Sequence, residues 1–386
     1  MEGNSKRRSP IRLLRHGVLI VTCASIPITP AVSHVESTFQ NSWLGKSVVP
    51  RYEDFRFTTN GRVTAPTRLD VYRVEQVDGE RLRLTGPQFD GWAAQSQVIP
   101  VEQAIAYFTQ NIRSKPTDVF SYAMRANLWL EKNRFDRALW DCDEIIRIRP
   151  TYMWAYNQRA GIWLRREEYD KAIADYDKSI ELYPIGSFSY INRGVAWLRK
   201  NEYDKAIADF NEAIRFDPNI AFTYSWRGNA FEKKGEYDEA IADYDKAIRL
   251  DSQDGFCYVK RGLIRHLKKD FDRASADYQE AVRIEPKLSS AYLARAYLWA
   301  TCPDPKYRNG KKAVESATMA CELTDWMRPV NLDTLAASYA ELGDFNSAVK
   351  WQSKAIDLLS DDKKKEEYHT RLKLYQDKKP YRETFR

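Results

Sequence analysis

The sequence is poor in the residues that carry chemistry. It has four histidines, His16, His34, His266 and His369, and none has a partner at metal-ligand spacing. It has no Gly-rich phosphate loop, no G-x-S-x-G and no CxxC. These lacks remove the usual grounds for assigning a phosphate cradle, a metal centre or an activated nucleophile. No catalytic, cofactor-binding or metal-binding residue is assigned, no cofactor is expected, and the chain reads as a non-enzyme.

Cysteine is scarce as well, at five residues. Cys23 lies in the N-terminal segment, and Cys142 and Cys257 lie far apart along the chain. Cys302 and Cys321 fall near opposite ends of two consecutive helical stretches. In an antiparallel hairpin such ends are separated by roughly 15–20 Å, whereas a bridge needs Cα atoms within about 7 Å. A disulfide framework is therefore not expected, and the thiols read as buried and free.

Charge of one sign is missing from the body of the chain. The formal net charge is +7. The excess lies wholly in residues 1–16 and 361–386, which leaves 17–360 neutral. A neutral body without a basic stripe lacks the electrostatic footprint of a nucleic-acid binder.

What is present is a period of 34 residues. Pro116, Pro150, Pro184 and Pro218 mark it, the next step falls on Ser252, and Pro286 follows. Tyr122, Tyr156, Tyr190, Tyr224, Tyr258 and Tyr292 share one phase. Ala126, Ala160, Gly194, Gly228, Gly262 and Ala296 are small at another, and Ala138, Ala172, Ala206, Ala240 and Ala274 at a third. Aromatics return at Tyr176, Phe210, Tyr244 and Tyr278. A fixed period of this length implies stacked helix pairs. Small residues let two helices approach, aromatics fill the gap to the next pair, and proline stops the second helix.

Numbered from Val119, Met153, Ser187, Ala221, Gly255 and Ser289, the repeats resemble the tetratricopeptide repeat (TPR): aromatic at positions 4 and 24, small at 8, 20 and 27, proline at 32. The stretch 192–218, NRGVAWLRKNEYDKAIADFNEAIRFDP, is close to a consensus repeat. The resemblance implies a mainly α fold. That fold is a right-handed superhelical solenoid of about seven helix-turn-helix repeats over 117–360, with a capping helix and tail over 361–386. The sixth repeat is stretched, its small residues Ala313 and Ala320 falling five places late, and the seventh returns with Ala336, Tyr339, Ala348 and Ala355. The ATCPDPKYRNGKKAVESA stretch and KPYRE (379–383) also resemble the end of a bacterial group of TPR proteins. The phase runs backward to Ala104, Phe108 and Pro116, so 101–116 reads as a half-repeat connecting helix.

Before residue 100 the helical period vanishes. The segment 68–86 alternates around Asp78-Gly79, a hairpin signal. WLGKSVVP (43–50) and GWAAQSQVIP (91–100) resemble the first and last strands of bacterial SH3-like barrels, which implies a small β domain over 41–100; a small sheet of another topology is the alternative. Residues 1–33 read as a secretory signal peptide. Lys6, Arg7, Arg8, Arg12 and Arg15 precede an apolar stretch from Gly17, and Ala31-Val32-Ser33 offers a cleavage site. An uncleaved anchor is the alternative, although Pro27 and Pro30 interrupt the apolar run. The chain is thus expected to be exported, periplasmic or envelope-bound.

Two charged rows also follow the period. Asp141, Asp175, Asp209, Asp243 and Asp277 form one, and Arg125, Arg159, Arg193, Arg227, Arg261 and Arg295 the other. Pairing each Asp with the Arg of the next repeat, as Asp175 with Arg193, would build a ladder along the stack; two solvated rows are the alternative. The working surface implied by the resemblance is the inner face of the first helices. There Phe120, Trp154, Phe188, Phe222 and Phe256 stand at position 2, accompanied by Asn127, Asn157, Asn192 and Asn229. Rigid rings beside amides suit an extended peptide or a partner helix, although the rings could instead pack between neighbouring helices. The inward Lys/Arg/Asn cluster with which some TPR proteins hold a peptide carboxylate is not supplied, since the matched positions hold Ala123, Asn127, Gln158, Phe188 and Asn192. The expectation is an exported protein–protein interaction scaffold that binds a protein or peptide and no nucleic acid, with envelope association through the N-terminal segment or the β module. The alternatives are a cell-wall or polysaccharide-associated accessory protein targeted by the SH3-like module, and an enzyme with a site at the joint between the β module and the first repeats.

Overall fold

The computed structural model describes residues 43–59, 62–64, 71–86 and 90–385; the expected signal peptide, 1–33, lies outside them. The chain divides into two compact units, one ending at Glu202 and the other beginning at Tyr203.

The first unit opens with strands β1 (Ser47–Pro50), β2 (Phe57–Thr59), β3 (Arg62–Thr64), β4 (Tyr72–Asp78), β5 (Arg81–Thr85), β6 (Asp90–Ala94) and β7 (Val98–Pro100). They form one antiparallel sheet in the order β3-β2-β6-β5-β4-β1-β7. The Asp78-Gly79 signal is the β4–β5 turn, with Gly79 at φ 54° and Asp78 opposite Arg81. Alternation sends Tyr72 and Val74, Leu82 and Leu84, and Ala93 to one side. There they join Val48, Phe55, Phe57 and Val98 in a small core. The other side of β1 and β7 offers Val49 and Ile99, which pack on Ala104, Phe108, Met124 and Leu128. The sheet is thereby seated on the first helices.

Those helices are α1 (Val101–Ser114), α2 (Val119–Glu131), α3 (Phe135–Ile148), α4 (Met153–Arg165), α5 (Tyr169–Leu182) and α6 (Ser187–Arg199). The second unit holds α7 (Tyr203–Phe216), α8 (Ala221–Lys234), α9 (Tyr237–Leu250), α10 (Gly255–Leu267), α11 (Phe271–Ile284), α12 (Ser289–Thr301), α13 (Gly310–Glu322), α14 (Pro329–Leu342), α15 (Phe345–Asp357) and α16 (Asp362–Gln376). The hairpins are those of a TPR-type solenoid. The first helix of each is called A and the second B.

Each hairpin follows from its small residues and its breakers. At Gly262 an added Cβ would stand 2.6 Å from the Tyr278 ring, so only glycine admits this approach of α10 and α11. Asn133, Glu167, Asn201, Gly235 and Lys269 sit between A and B helices in the left-handed region, at φ 54°, 61°, 62°, 82° and 63°. That conformation ends a helix and reverses the chain. The prolines stand two residues beyond α1, α3, α5, α7 and α11, where the next turn would need an N–H they lack.

The sixth repeat absorbs its extra residues between α12 and α13, in a stretch with a short 3₁₀ turn at Pro305–Tyr307. α16 closes the array with Tyr368 and Tyr375 buried and Arg371 bonded to the buried Asp333. Cys142, Cys257, Cys302 and Cys321 are buried and free, Cys302 and Cys321 in different core clusters.

Candidate functional site

The A helices carry every residue of the candidate face. In the first compact unit, Phe120, Trp154 and Phe188 are half-buried. Phe120 meets Phe108 edge-on, ring centroids 6.1 Å apart, and lines a cleft of about 340 Å³ with Arg51, Tyr107 and Asn111. This cleft lies at the joint between sheet and helices. Trp154 leans on Tyr152 at 6.2 Å. In the second unit Phe222 is half-buried, while Phe256 is 43% exposed. The Lys260 ammonium lies 5.7 Å from the Phe256 ring centroid and is held by Glu232 at 3.0 Å.

The amides divide into two kinds. Asn157 is buried, and its Oδ1 accepts from Ser189 Oγ at 3.0 Å, so it ties α4 to α6. Asn192 is buried and donates from Nδ2 to the Phe188 carbonyl, one turn back in its own helix. Its Oδ1 and that of Asn229 have no hydrogen-bond partner among the described residues. Both oxygens are buried, so they are unsatisfied polar atoms within the fold. Asn127 is half-buried.

The charged rows differ from the expected ladder. Asp175 does not pair with Arg193: it accepts a fork from Arg159 of its own repeat, at 2.8 and 2.6 Å. Arg125–Asp141, Arg227–Asp243 and Arg261–Asp277 repeat the arrangement. The step to the preceding repeat uses the residue two places later. Arg159 reaches Asp143, Arg193 reaches Asp177, Arg227 reaches Asn211 and Arg261 reaches Asp245. Residues two apart on a helix point roughly 200° from each other. One carboxylate therefore faces into the hairpin and the other toward the next repeat. Burial pushes the Asp141 and Asp243 carboxyls up despite their forks. Hydrogen bonding to Asp175 raises the Arg159 guanidinium.

The sequence reading missed the path of the C-terminal tail. Beyond α16 the chain turns back over the A helices of the second unit. The Glu383 N–H donates to the Thr301 carbonyl at 3.0 Å, and the Glu383 carboxylate meets His266 Nε2 at 2.7 Å. The Phe385 ring lies 5.8 Å from both His266 and Phe271. Arg382 bonds Glu341 and the Ala300 carbonyl. KPYRE was legible as a motif, but nothing periodic said where it would lie.

Among the described residues no helix is long and apolar enough to cross a membrane, and no three His, Cys, Asp or Glu side chains are grouped to hold a metal.

Residues 187–220 and 221–254 match a sequence profile described as tetratricopeptide repeat, and 257–288 match a second profile with that description. No curated protein matches the chain. Among solved structures, yeast Tom70 is similar at 20% identity over 72% of this chain and 59% of its own, with a TM-score of 0.50. A tetratricopeptide repeat protein from Parabacteroides merdae is 14% identical over 67% of this chain and 98% of its own, TM-score 0.49. YrrB, described as a TPR protein with an unusual peptide-binding site, is 20% identical over 49% and 97%, TM-score 0.43. At such identities the likeness is one of fold. The chain carries tetratricopeptide repeats, arranged as a TPR-type solenoid with a small antiparallel sheet at its N-terminal end.

Proposed function

We propose that the chain is a non-catalytic, exported scaffold whose A-helix face binds an extended segment of a partner protein. The observation that carries this reading is the tail. A stretch without regular secondary structure, 381–385, lies on A-helix residues of α10 and α12 and is held by both backbone and side-chain bonds. A face that accepts its own chain this way has the chemistry to accept another. Phe120, Trp154 and Phe188 in the first unit, and Phe222 and Phe256 in the second, supply ring area. The half-buried Asn127 adds a polar edge, whereas Asn157, Asn192 and Asn229 keep their amide oxygens inside the fold. The export reading rests on the basic and apolar N-terminal pattern. The SH3-like reading of the β module rests on the likeness of 43–50 and 91–100 to first and last barrel strands, and the pairing of β7 with β1 supports it.

The test is a peptide selection on the immobilised chain, followed by calorimetric titration of the selected sequences against Trp154→Ala and Phe188→Ala. The expected result is a loss of roughly tenfold or more in affinity, with helical circular dichroism unchanged. Equal affinity in both variants would move binding to the β module or to the B-helix side.

A further inference from the structure

The arginine row has one member that breaks its own rule. Arg125, Arg159, Arg193, Arg227 and Arg261 each hold at least one Asp carboxylate at 2.5–2.6 Å. Arg295, the sixth, has no carboxylate within 4.0 Å among the described residues. Its Nε donates instead to Ser316 Oγ at 3.2 Å. Both absences follow from the sequence. The five-residue stretch in the sixth repeat places Ser316 where earlier repeats have the hairpin-facing Asp. Gln279 stands where they have Asp143, Asp177, Asn211 and Asp245. Gln279 turns its amide to Ser275 of its own helix at 3.1 Å.

The missing carboxylates leave space. A cavity of about 440 Å³ opens at Arg295 between α11, α12 and α13. Lys312 lines it beside Arg295, and both cations lie near the Trp299 ring, at 5.9 and 4.9 Å from its centroid. The one acid in the lining, Glu315, pairs with neither at 4.0 Å or less. Arg295 is half-buried, and burial holds its guanidinium below the usual value. A cation that is partly desolvated and lacks a counter-charge is an incomplete pair.

We propose that this cavity takes a carboxylate, carried by an acidic side chain of a partner protein, that seats on Arg295 and Lys312 where other repeats supply their own Asp. Carboxylate is the group the fold itself places on the other five arginines, in four of them as a planar fork that guanidinium matches. The inference rests on the scaffold reading but not on the A-helix face, because the lining comes mainly from the B helices α11 and α13.

The test uses the full chain labelled with ¹³C-methyl methionine. There are five methionines, and Met319 lines the cavity. Met319→Leu assigns its resonance. The probes, at constant ionic strength, are a capped Gly-Gly-Glu-Gly-Gly peptide, its Gln analogue and inorganic phosphate. The proposal expects the Met319 methyl to shift saturably with the Glu peptide and not with the Gln peptide. It expects the affinity to fall roughly tenfold or more in Arg295→Gln. The exposed Lys312→Gln should weaken binding in the same direction, which keeps the test open if Arg295→Gln folds poorly; an unchanged Met327 resonance and unchanged helical circular dichroism report the fold of the second unit. No shift, an equal shift with the Gln peptide, a shift with phosphate alone, or full affinity in both variants would overturn it. Groove peptides that bind Trp154→Ala at full affinity, with the Met319 response intact, would fault the A-helix face alone.

Discussion

Asp175 and Asp143 both touch Arg159, yet their removal should cost very different amounts. The Asp175 side chain is 8% exposed and accepts the fork, while Asp143 is 56% exposed and accepts one bond. Breaking a buried pair by deleting one partner costs about 3–5 kcal/mol. Arg159 is 23% exposed, so water recovers part of its solvation, and Asp175→Ala should cost roughly 2–3 kcal/mol. Asp143→Ala should cost about 0–1 kcal/mol, as exposed pairs do. A double-mutant cycle sharpens the contrast. Arg159 and Asp175 should couple by roughly 1.5–3 kcal/mol, whereas Arg159 and Asp141, on different hairpins, should be close to additive. The assay is urea unfolding followed by both circular dichroism and tryptophan fluorescence, since repeat arrays can lose cooperativity and the two probes must coincide. Equal costs for the two aspartates, or a larger coupling to Asp141, would refute the register described above.

Other consequences are simpler to check. Cys142, Cys257, Cys302 and Cys321 should resist iodoacetamide in the native chain at pH 8 and label fully in denaturant, read by site-resolved mass spectrometry; burial pushes Cys321 up to about 12, and the other three are also raised. Glu167→Gly and Lys269→Gly should each stabilise by about 0.5–1 kcal/mol in urea, because a left-handed residue with a Cβ is strained by about 1–2 kcal/mol and glycine returns only part of that in entropy. The Ser347 side chain and backbone N–H hold the Asp344 carboxyl below its usual value at the start of α15. Its folded pKa lies below the unfolded one, so its contribution is present above the ordinary carboxylate range and is lost as pH falls through the lowered value. The urea midpoint of the wild type relative to Asp344→Asn should therefore drop on going from pH 7 to pH 3. Glu383→Ala should loosen the tail, seen as faster amide exchange over 378–385 with the solenoid helices unchanged.

Much of the fold was legible because the repeat enforces itself. Ala138 or Gly262 can be read as helix contacts from their phase alone, since each recurs where the same packing recurs. The stretch before α13 was equally visible, as Ala313 and Ala320 arriving late. The direction of the arginine row was not. Phase places Arg159 and Asp175 on a common period, but it does not say which of two carboxylates, 200° apart on one helix, faces which neighbour; that is set by the hairpin's rotation. The exposure of the aromatic row was open for the same reason. The structure leaves Phe256 more open than Phe120, whose ring meets Phe108. The tail path lay outside any periodic argument, because an irregular segment is placed by tertiary contacts alone. The significance of Ser316 and Gln279 emerged only with the arginine register, although both substitutions stand in plain view in the sequence.

The central claim is that partner chains lie along the A-helix face. Its most direct measurement is photo-crosslinking of a selected peptide from p-benzoylphenylalanine placed at Phe188 or Phe222, against the same probe at the exposed B-helix residue Lys171. The account predicts crosslinks from positions 188 and 222 and none from 171. Crosslinks from 171, with 188 and 222 silent, would contradict it and return the aromatic row to packing between helices.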